Sequence, residues 1–225
     1  METRKTTTDL IYEALRSDIN TLKLKPEELI SEARMAKKYN VSRAPVRDAI
    51  RRLQQDNLVV VKPQVGTIVA PVSLEKAREI CQVRLLLEPY AAEIAAGKIT
   101  DEEIQVLDQQ FALLAAYTDQ GETPGKIGER KEKCIYETDS VLHKTIWRLC
   151  GNKEIYRIID GYQDEIHRIR QATLKLANRA VPTEKEMRLI YKALREKDPQ
   201  AARKAMYDHI LNLKTAVEEV LAEED

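Results

Sequence analysis

The chain has few of the residues on which most enzyme chemistry depends. Its 225 residues include three histidines, three cysteines and seven glycines. It contains no Gly-x-Gly-x-x-Gly or Gly-Lys-Ser/Thr phosphate loop and no Gly-x-Ser-x-Gly nucleophile elbow. Any histidine-based mechanism must therefore use His143, His167 or His209, and we do not expect an enzyme.

Cysteine usage and the lack of long apolar runs bear on the cellular compartment. Cys81, Cys134 and Cys150 are an odd set without paired spacing, which favours reduced thiols over a disulfide framework or a zinc knuckle. No apolar run is long enough to span a membrane, and the N-terminus lacks the apolar segment of a signal peptide. We therefore expect a cytoplasmic protein without a membrane partner.

Net charge is zero, because 37 basic residues balance 37 acidic ones, but the charge is unevenly distributed. The first 72 residues hold 13 basic and 9 acidic residues, a net charge of +4, so the remainder carries −4. From residue 32 to residue 62 there are eight basic and three acidic residues. This separation favours a phosphate-containing partner for the N-terminal segment.

The first 72 residues have the pattern of three helices and a hairpin. A helix from about Glu32 to Tyr39 and a third helix, capped by Ser42 and ending near Asp56, are joined by a tight turn. Two β-branched runs, 58–62 and 67–70, flank a turn. The first helix is predicted from apolar residues at helical spacing, namely Leu10, Ala14, Leu15, Ile19 and Leu22. We expect a winged helix-turn-helix domain over residues 1–72.

A basic stripe on the third helix lies about 90° from its apolar arc. The stripe consists of Arg43, Arg47 and Arg51. A solvated face is the ordinary interpretation of such a stripe. Here, however, it begins at the helix N-terminus directly after the turn, where a recognition helix meets bases and phosphates. The second helix adds Arg34, Lys37 and Lys38. We therefore expect this face to bind DNA.

From Ser73 onward every pattern is helical, and we expect an all-α bundle of six or so helices over residues 73–225. The complete fold is thus mainly α. A loop is expected from Asp119 to Gly128, and the fourth bundle helix is expected to run without a break to about Leu176. Helix starts are predicted at Ser73, Thr100, Glu129, Asn152, Thr183 and Asp198.

Several polar residues fall on the apolar faces of bundle helices. Asp139 and His143 share one face, and His209 and Arg84 lie in the apolar arcs of two other helices. Buried ionised groups must pair with each other, a metal or a ligand, because an unpaired buried charge costs several kcal/mol. A hydrogen-bonded Asp139–His143 pair and an intrahelical Arg84–Glu88 pair are the simplest alternatives to a functional site.

Specific motifs connect the chain to a known family. Residues 41–53, VSRAPVRDAIRRL, are similar to the Val-Ser-Arg-x-Pro-Val-Arg-x-Ala-Leu-x-x-Leu signature of the GntR superfamily of bacterial transcription regulators. The wing Gly66-Thr67-x-Val69 is also similar. In the second half, Asp139-x-x-x-His143 with the following Gly-Asn, and residues 201–209, resemble the FCD effector domain of the FadR-type subfamily.

This resemblance implies a DNA-binding mode. Arg43 and Arg47 match positions at which the family places DNA-contacting arginines, and Gly66 matches the wing tip that approaches the minor groove. The resemblance further implies a homodimer on double-stranded DNA with a palindromic operator. Further contacts that hold the DNA are expected from Ser42, Lys37, Lys38, Arg34, Arg51 and Thr67.

The resemblance also implies a site inside the bundle. Many FCD domains hold a divalent metal with one Asp and three His, and three of these positions are Asp139, His143 and His209. The fourth position is Met187, a poor ligand for zinc, nickel or manganese. The alternatives are a three-ligand site completed by water or effector and a pocket without metal. Arg84 matches the residue that meets the effector's carboxylate, and we place Asn152 and Met187 beside it.

We therefore expect a transcription regulator, either a repressor or an activator, whose operator affinity responds to a small organic acid in the bundle, with or without a metal. A regulator that senses the metal ion itself is the first alternative. A metal-dependent hydrolase that uses Asp139, His143 and His209 is the second. No nucleophile or general base stands out beside these residues to favour the hydrolase.

Overall fold

A computed structural model describes residues 5–117, 129–176 and 179–224, with side chains for all of these except 129, 170–176 and 220–224. The chain divides into two compact units, Met1–Ser73 and Leu74–Asp225. The described residues form ten helices and one two-stranded sheet, so the mainly α prediction is confirmed. The predicted loop from Asp119 to Gly128 lies outside the described residues.

The first unit is a winged helix-turn-helix, as predicted. Strand β1 pairs antiparallel with β2, Val59 opposite Val69 and Lys62 opposite Gly66. The elements are α1 (Thr7–Asn20), α2 (Glu32–Tyr39), α3 (Arg43–Gln55), β1 (Val59–Lys62) and β2 (Gly66–Val69). The three helices and the sheet enclose one apolar core, which includes Ile11, Leu15, Ile19, Met35, Val46, Ile50, Leu53 and Leu58.

The predicted apolar face of α1 is wrong at both ends. Leu10 is 55% exposed, and Ile11 takes the buried position one turn before Leu15. Leu22 lies beyond the end of the helix with φ of 56°, in the left-handed region that ends a helix. Apolar side chains on two adjacent faces gave two equally regular patterns, and only packing against α3 selects the face that starts at Ile11.

A short segment before α2 adds an edge to the wing that the sequence pattern did not indicate. The amide of Ile30 donates to the carbonyl of Thr67 at 2.8 Å, and the amide of Val69 donates to the carbonyl of Glu28 at 2.9 Å. Residues 28–30 thereby run beside β2. This pairing fixes the wing to the helix-turn-helix core.

The turn between α2 and α3 is built as predicted, with one difference. Asn40 ends α2 in the left-handed conformation with φ of 53°, and Ser42 has the extended backbone of an N-cap. Its hydroxyl accepts no capping hydrogen bond. The reason is that Pro45 occupies the third helical position, where the usual amide donor is missing. The exposed Ser42 hydroxyl therefore has no capping role in α3.

The second unit is all-α, but it has seven described helices where six or so were expected. The predicted fourth helix is two helices, separated at Gly161. Buried isoleucines keep helical spacing across the break, so the apolar pattern concealed it. The helices are α4 (Leu74–Lys98), α5 (Asp101–Ala116), α6 (Glu129–Cys150), α7 (Lys153–Asp160), α8 (Gln163–Leu176), α9 (Ala180–Arg195) and α10 (Pro199–Glu224).

Predicted helix caps in this unit are confirmed at three places and wrong at one. The confirmed side-chain caps are Thr100, Asn152 and Asp198. The predicted cap at Thr183 lies inside α9, which begins at Ala180. Pro182 falls in the first turn of this helix, where a missing backbone N–H removes no intrahelical hydrogen bond.

Two further features of the described residues concern the cysteines and the length of the apolar helices. The three cysteines are buried and form no disulfide, which agrees with the expected reduced thiols. No described helix has both the length and the apolarity needed to cross a membrane.

The start of α1 gives a pH-dependent prediction. The amide and hydroxyl of Thr6 donate to Asp9, and Arg52 Nη1 donates to Asp9 Oδ1 at 2.6 Å. The hydrogen bond from the Thr6 side chain, the one from its backbone and the bond from Arg52 lower the pKa of Asp9 to about 2. Because this pKa lies below the unfolded value of about 3.9, the stabilisation is present above pH 4 and lost as the pH falls towards 2.

We expect Asp9→Asn to speed amide hydrogen exchange in α1 at pH 6. The difference in exchange rate between this variant and the unchanged chain should become smaller as the pH falls through 4. Hydrogen exchange followed by mass spectrometry measures this. Asp48→Asn is the control, because among the residues that the structure describes Asp48 pairs only with Arg51, at 3.6 Å on one exposed helix face. A difference that does not depend on pH contradicts the assigned role of the Asp9 carboxylate.

Candidate functional site

The predicted DNA-binding arginines lie exposed along α3. Arg43 is the first residue of the helix, and Arg47 and Arg51 follow at one-turn intervals. Within residues 5–117, 129–176 and 179–224, no carboxylate lies within 4.0 Å of Arg43 or Arg47, whereas Arg51 Nη2 is 3.6 Å from Asp48 Oδ1. Arg43 and Arg47 thus present the two uncompensated charges of the stripe.

The cations of α2 differ from one another. Arg34 Nη2 donates to Glu28 Oε1 at 3.1 Å, and Lys38 Nζ donates to Asp18 Oδ2 at 2.9 Å. Lys37 is exposed and has no carboxylate within 4.0 Å among the residues that the structure describes. Arg34 and Lys38 therefore form ion pairs within the first unit, a distinction that sequence spacing alone did not reveal.

Gly66 is fixed at the wing by its backbone conformation. It begins β2 with φ of 115°, a conformation that side chains rarely adopt, and a Cβ atom there would lie 3.3 Å from Leu29 Cδ1. Thr67 follows on the same strand, with its carbonyl bound to Ile30. The hairpin tip presents Val65 with 58% of its surface exposed.

In the second unit, the three predicted metal ligands meet in the core. Asp139 and His143 lie on α6 and His209 lies on α10, and all three are buried. His143 Nε2 is 3.2 Å from His209 Nε2, and Asp139 Oδ1 is 3.4 Å from each of these nitrogens. The prediction that these residues come together is confirmed.

Each imidazole is held from behind by a second carboxylate. His143 Nδ1 lies 2.5 Å from Glu88 Oε2, and His209 Nδ1 lies 2.8 Å from Glu186 Oε2. Since an ionised carboxylate only accepts hydrogen bonds, both Nδ1 atoms act as donors. The Nε2 atom of a neutral imidazole then carries the lone pair, and both Nε2 atoms turn towards Asp139.

Both outer carboxylates are in turn bound to an arginine. Arg84 Nε donates to Glu88 Oε1, so the intrahelical pair considered from spacing is present. Trp147 Nε1 also donates to Glu88, at 3.1 Å. Arg179 binds Glu186 through both terminal nitrogens, at 3.1 and 3.0 Å. Two Arg–Glu–His chains therefore converge on the Asp139 carboxylate.

Sequence reasoning missed Glu186, Arg179 and Trp147. Glu186 lies three residues after the predicted helix start at Thr183, which is the spacing of a capping-box partner, but its carboxylate binds His209 and Asn212. The spacing that favoured a cap is satisfied by many Glu residues. The partner that decides its role lies 23 residues away on another helix.

The electrostatics of the cluster favour ionised carboxylates and a cation among them. Burial opposes ionisation of Glu88, but the charge of Arg84 and the hydrogen bonds from His143 and Arg84 outweigh it and lower the pKa of Glu88. Burial also opposes charging of His209, but hydrogen bonds to Asp139 and Glu186 outweigh it and raise the pKa of His209. In the absence of a metal, these two hydrogen bonds therefore favour the protonated form of His209.

The geometry of these three atoms fits a small divalent cation. Ligand atoms 2.0–2.1 Å from a tetrahedral zinc lie about 3.3 Å from one another, and the observed separations are 3.2 to 3.4 Å. Two imidazoles with outer carboxylates and one Asp form the donor set of such a site. Asp139, His143 and His209 would hold the ion, leaving a fourth position open.

The remaining predicted effector residues occupy different surroundings. Arg84 is 1% exposed, and its Nη2 atom has no hydrogen-bond partner among the described residues. Met187 is fully buried on α9, next to Glu186. Asn152 is exposed, and its side-chain oxygen accepts from the amides of Glu154 and Ile155. Its effector role stays a prediction from the resemblance.

Comparison with known proteins places both units in one family. The model of the FCD domain matches residues 79–212, and that of bacterial regulatory proteins, gntR family, matches residues 7–69. The HTH-type transcriptional repressor RspR of Escherichia coli K12 is 26% identical over 217 residues, which cover 95% of this chain and 90% of the relative. The HTH-type transcriptional regulator YdhC of Bacillus subtilis is 26% identical over 88% of this chain and 85% of its own length.

Solved structures share the fold. McbR/YncC of E. coli has a TM-score of 0.76 at 18% identity, covering 97% of this chain and all of that one. A transcriptional regulator from Rhodococcus sp. RHA1 has the same TM-score and identity, over 96% and 99% of the two chains. With the winged helix-turn-helix, the helical second unit and both family matches in agreement, the chain belongs to the GntR family of transcriptional regulators with an FCD domain.

Proposed function

We propose that the protein is a homodimeric, cytoplasmic repressor that binds a palindromic operator and responds to a small organic acid held in the second unit. The observation that carries the effector part is the buried convergence of Asp139, His143 and His209. Three electron-rich groups in a protein core require a cation, because an unneutralised cluster there is strongly destabilising.

The DNA-binding part follows from the exposed charges of α3. Arg43 and Arg47 stand at the N-terminal half of the helix without a carboxylate partner in the described chain, where guanidinium groups reach guanine or phosphate in the major groove. Further phosphate contacts would come from Lys37 and from the Ser42 hydroxyl, which accepts no capping hydrogen bond. The wing at Gly66 and Thr67 would reach the neighbouring groove. A two-fold dimer would read an inverted repeat.

The effector part combines a cation and an arginine. Asp139, His143 and His209 would hold zinc, nickel or manganese, and the ion would supply an electrophilic position for an oxygen of the acid. Arg84 would offer its unpartnered Nη2 to the acid's carboxylate, which would remove the penalty of about 1–3 kcal/mol for an unsatisfied buried donor. The resemblance places Met187 beside the effector, where its buried side chain would add apolar surface.

Selection from random duplex DNA tests the DNA-binding proposal. We expect the full-length chain to enrich a short inverted repeat and to bind it at least 1000-fold more tightly than unrelated DNA, the lower end for specific regulators. Quantitative footprinting on the enriched sequence measures the ratio. Enrichment of no common sequence would falsify the proposal.

The same operator distinguishes the two kinds of effector. Titration before and after chelation, with the metal content measured, reports whether the ion alone changes operator affinity. A large change on chelation alone favours the metal-ion-sensing regulator. A metal-loaded chain whose operator affinity changes only when an organic acid is added favours the proposal above.

A further inference from the structure

Glu88 belongs to two sets of contacts at once. Its Oε1 atom accepts from Arg84 Nε, while its Oε2 atom accepts from His143 Nδ1 at 2.5 Å and from Trp147 Nε1 at 3.1 Å. The carboxylate is fully buried, so these three donors replace water. One side chain therefore joins the arginine proposed to meet the acid to a proposed metal ligand.

An anion bound to Arg84 would reduce the positive charge that acts on the Glu88 carboxylate. The guanidinium charge is delocalised, and its Nη2 atom is buried without a hydrogen-bond partner in the described chain. A carboxylate bound there would share the charge that now neutralises Glu88. The Glu88 oxygens would then accept more strongly from His143, and an imidazole with a stronger acceptor at Nδ1 is a better metal ligand at Nε2.

We propose that Glu88 is a positioning residue that couples the two ligands, so that an anion at Arg84 tightens metal binding at Asp139, His143 and His209. By linkage, the metal tightens anion binding by the same factor. This inference rests on the proposed function, because it takes the cluster to be a metal site. It goes further by assigning communication within the site to one carboxylate.

The second outer carboxylate provides a matched control. Glu186 holds His209 as Glu88 holds His143, but its arginine is Arg179, which binds it through both terminal nitrogens. Glu186 makes no hydrogen bond to Arg84 in the described chain. Removing the charge of either glutamate makes one imidazole a weaker metal ligand. Of the two glutamates, however, only Glu88 joins an imidazole to Arg84.

Zinc affinity measured by competition with a fluorescent chelator, with acetate or chloride at equal ionic strength, tests the coupling. In the unchanged chain we expect acetate to raise zinc affinity at least fivefold, the lower end of typical couplings. Glu88→Gln and Glu186→Gln should each lower zinc affinity about 10- to 100-fold. Acetate should then change affinity less than twofold in Glu88→Gln and at least fivefold in Glu186→Gln.

The possible outcomes separate the two proposals. If the unchanged chain binds no zinc, the metal part of the proposed function fails. If it binds zinc but acetate has no effect, the coupling alone is wrong. An acetate effect that persists in Glu88→Gln overturns the role of Glu88, because the anion then acts on the ion directly. An equal loss of the acetate effect in Glu186→Gln overturns the role of Glu88 as well.

A measurement on the unchanged chain covers the case in which Glu88→Gln does not fold. In metal-free protein with ¹⁵N-labelled histidine, acetate should shift the Nδ1 resonance of His143 relative to chloride. The Nδ1 resonance of His209 should have the same chemical shift in acetate as in chloride. His143→Gln and His209→Gln assign the two signals. Absence of a shift at His143, or equal shifts at both residues, contradicts the coupling through Glu88.

Discussion

Arg43→Ala and Arg47→Ala are each expected to reduce specific operator affinity by about 5- to 150-fold, because a good bidentate arginine–guanine contact contributes about 1–3 kcal/mol. Both side chains are exposed, and neither has a carboxylate partner in the described chain. Neither variant removes an observed intramolecular contact, so each should leave the fold unchanged. The loss should therefore appear in binding and not in the melting temperature.

Footprinting over a range of salt concentrations measures both the size and the type of each contact. An arginine that reads a base should lose discrimination at one operator position, whereas an arginine on phosphate should lower affinity for all sequences and reduce the salt slope by about 1. Arg52→Ala is the charge-matched control on the same helix, because Arg52 binds Asp9 and stacks over Tyr12. If Arg52→Ala weakens binding as much as the other two, α3 does not present the expected face.

Arg84→Met is expected to destabilise the second unit by about 3–5 kcal/mol, because it leaves the buried Glu88 carboxylate without its main counter-charge. Removing both charges in Arg84→Met/Glu88→Gln should restore much of this loss, since an apolar or amide replacement needs no neutralisation. Trp147 is the only tryptophan of the chain and its indole binds Glu88. Its fluorescence during urea unfolding reports this unit directly.

Lys204→Met is the control for Arg84→Met, because it breaks an ion pair that has the same four-residue helical spacing as Arg84 and Glu88. Lys204 and Asp208 are also four residues apart, at 2.6 Å, but on the exposed face of α10, where such pairs contribute about 0.3–0.5 kcal/mol. A change below 1 kcal/mol in Arg84→Met, or a double variant less stable than the single one, contradicts the view that Glu88 is held ionised by Arg84.

The helix-turn-helix was predictable because its signals are local. Asn40 and Ser42 mark the turn by backbone preference, and the boundaries of α2 follow from residues within a few positions. The pairing of Arg34 with Glu28 and of Lys38 with Asp18 was not predictable, since both pairs depend on how the turn before α2 and helix α1 fold back. Spacing places cations on a face but does not show which of them are neutralised.

The three residues that converge in the buried cluster were predictable, but the residues that orient them were not. Asp139 and His143 share a helical face, and His209 was placed by the resemblance. The role of Glu186 depends on α9 packing against α10, which no local pattern encodes. The break at Gly161 was missed for the opposite reason, because the apolar spacing continues through it and only the glycine marked the change of helix.

The burial of all three cysteines makes the chain suited to site-specific labelling. Cys81, Cys134 and Cys150 are 1%, 8% and 5% exposed, and burial raises the pKa of the Cys134 thiol, which lowers its thiolate fraction. A cysteine introduced at the exposed wing residue Gln64 would therefore react with a maleimide far faster than the native thiols. Spin labels or fluorophores placed there would report the spacing of the two wings in a dimer, with the native cysteines left in place.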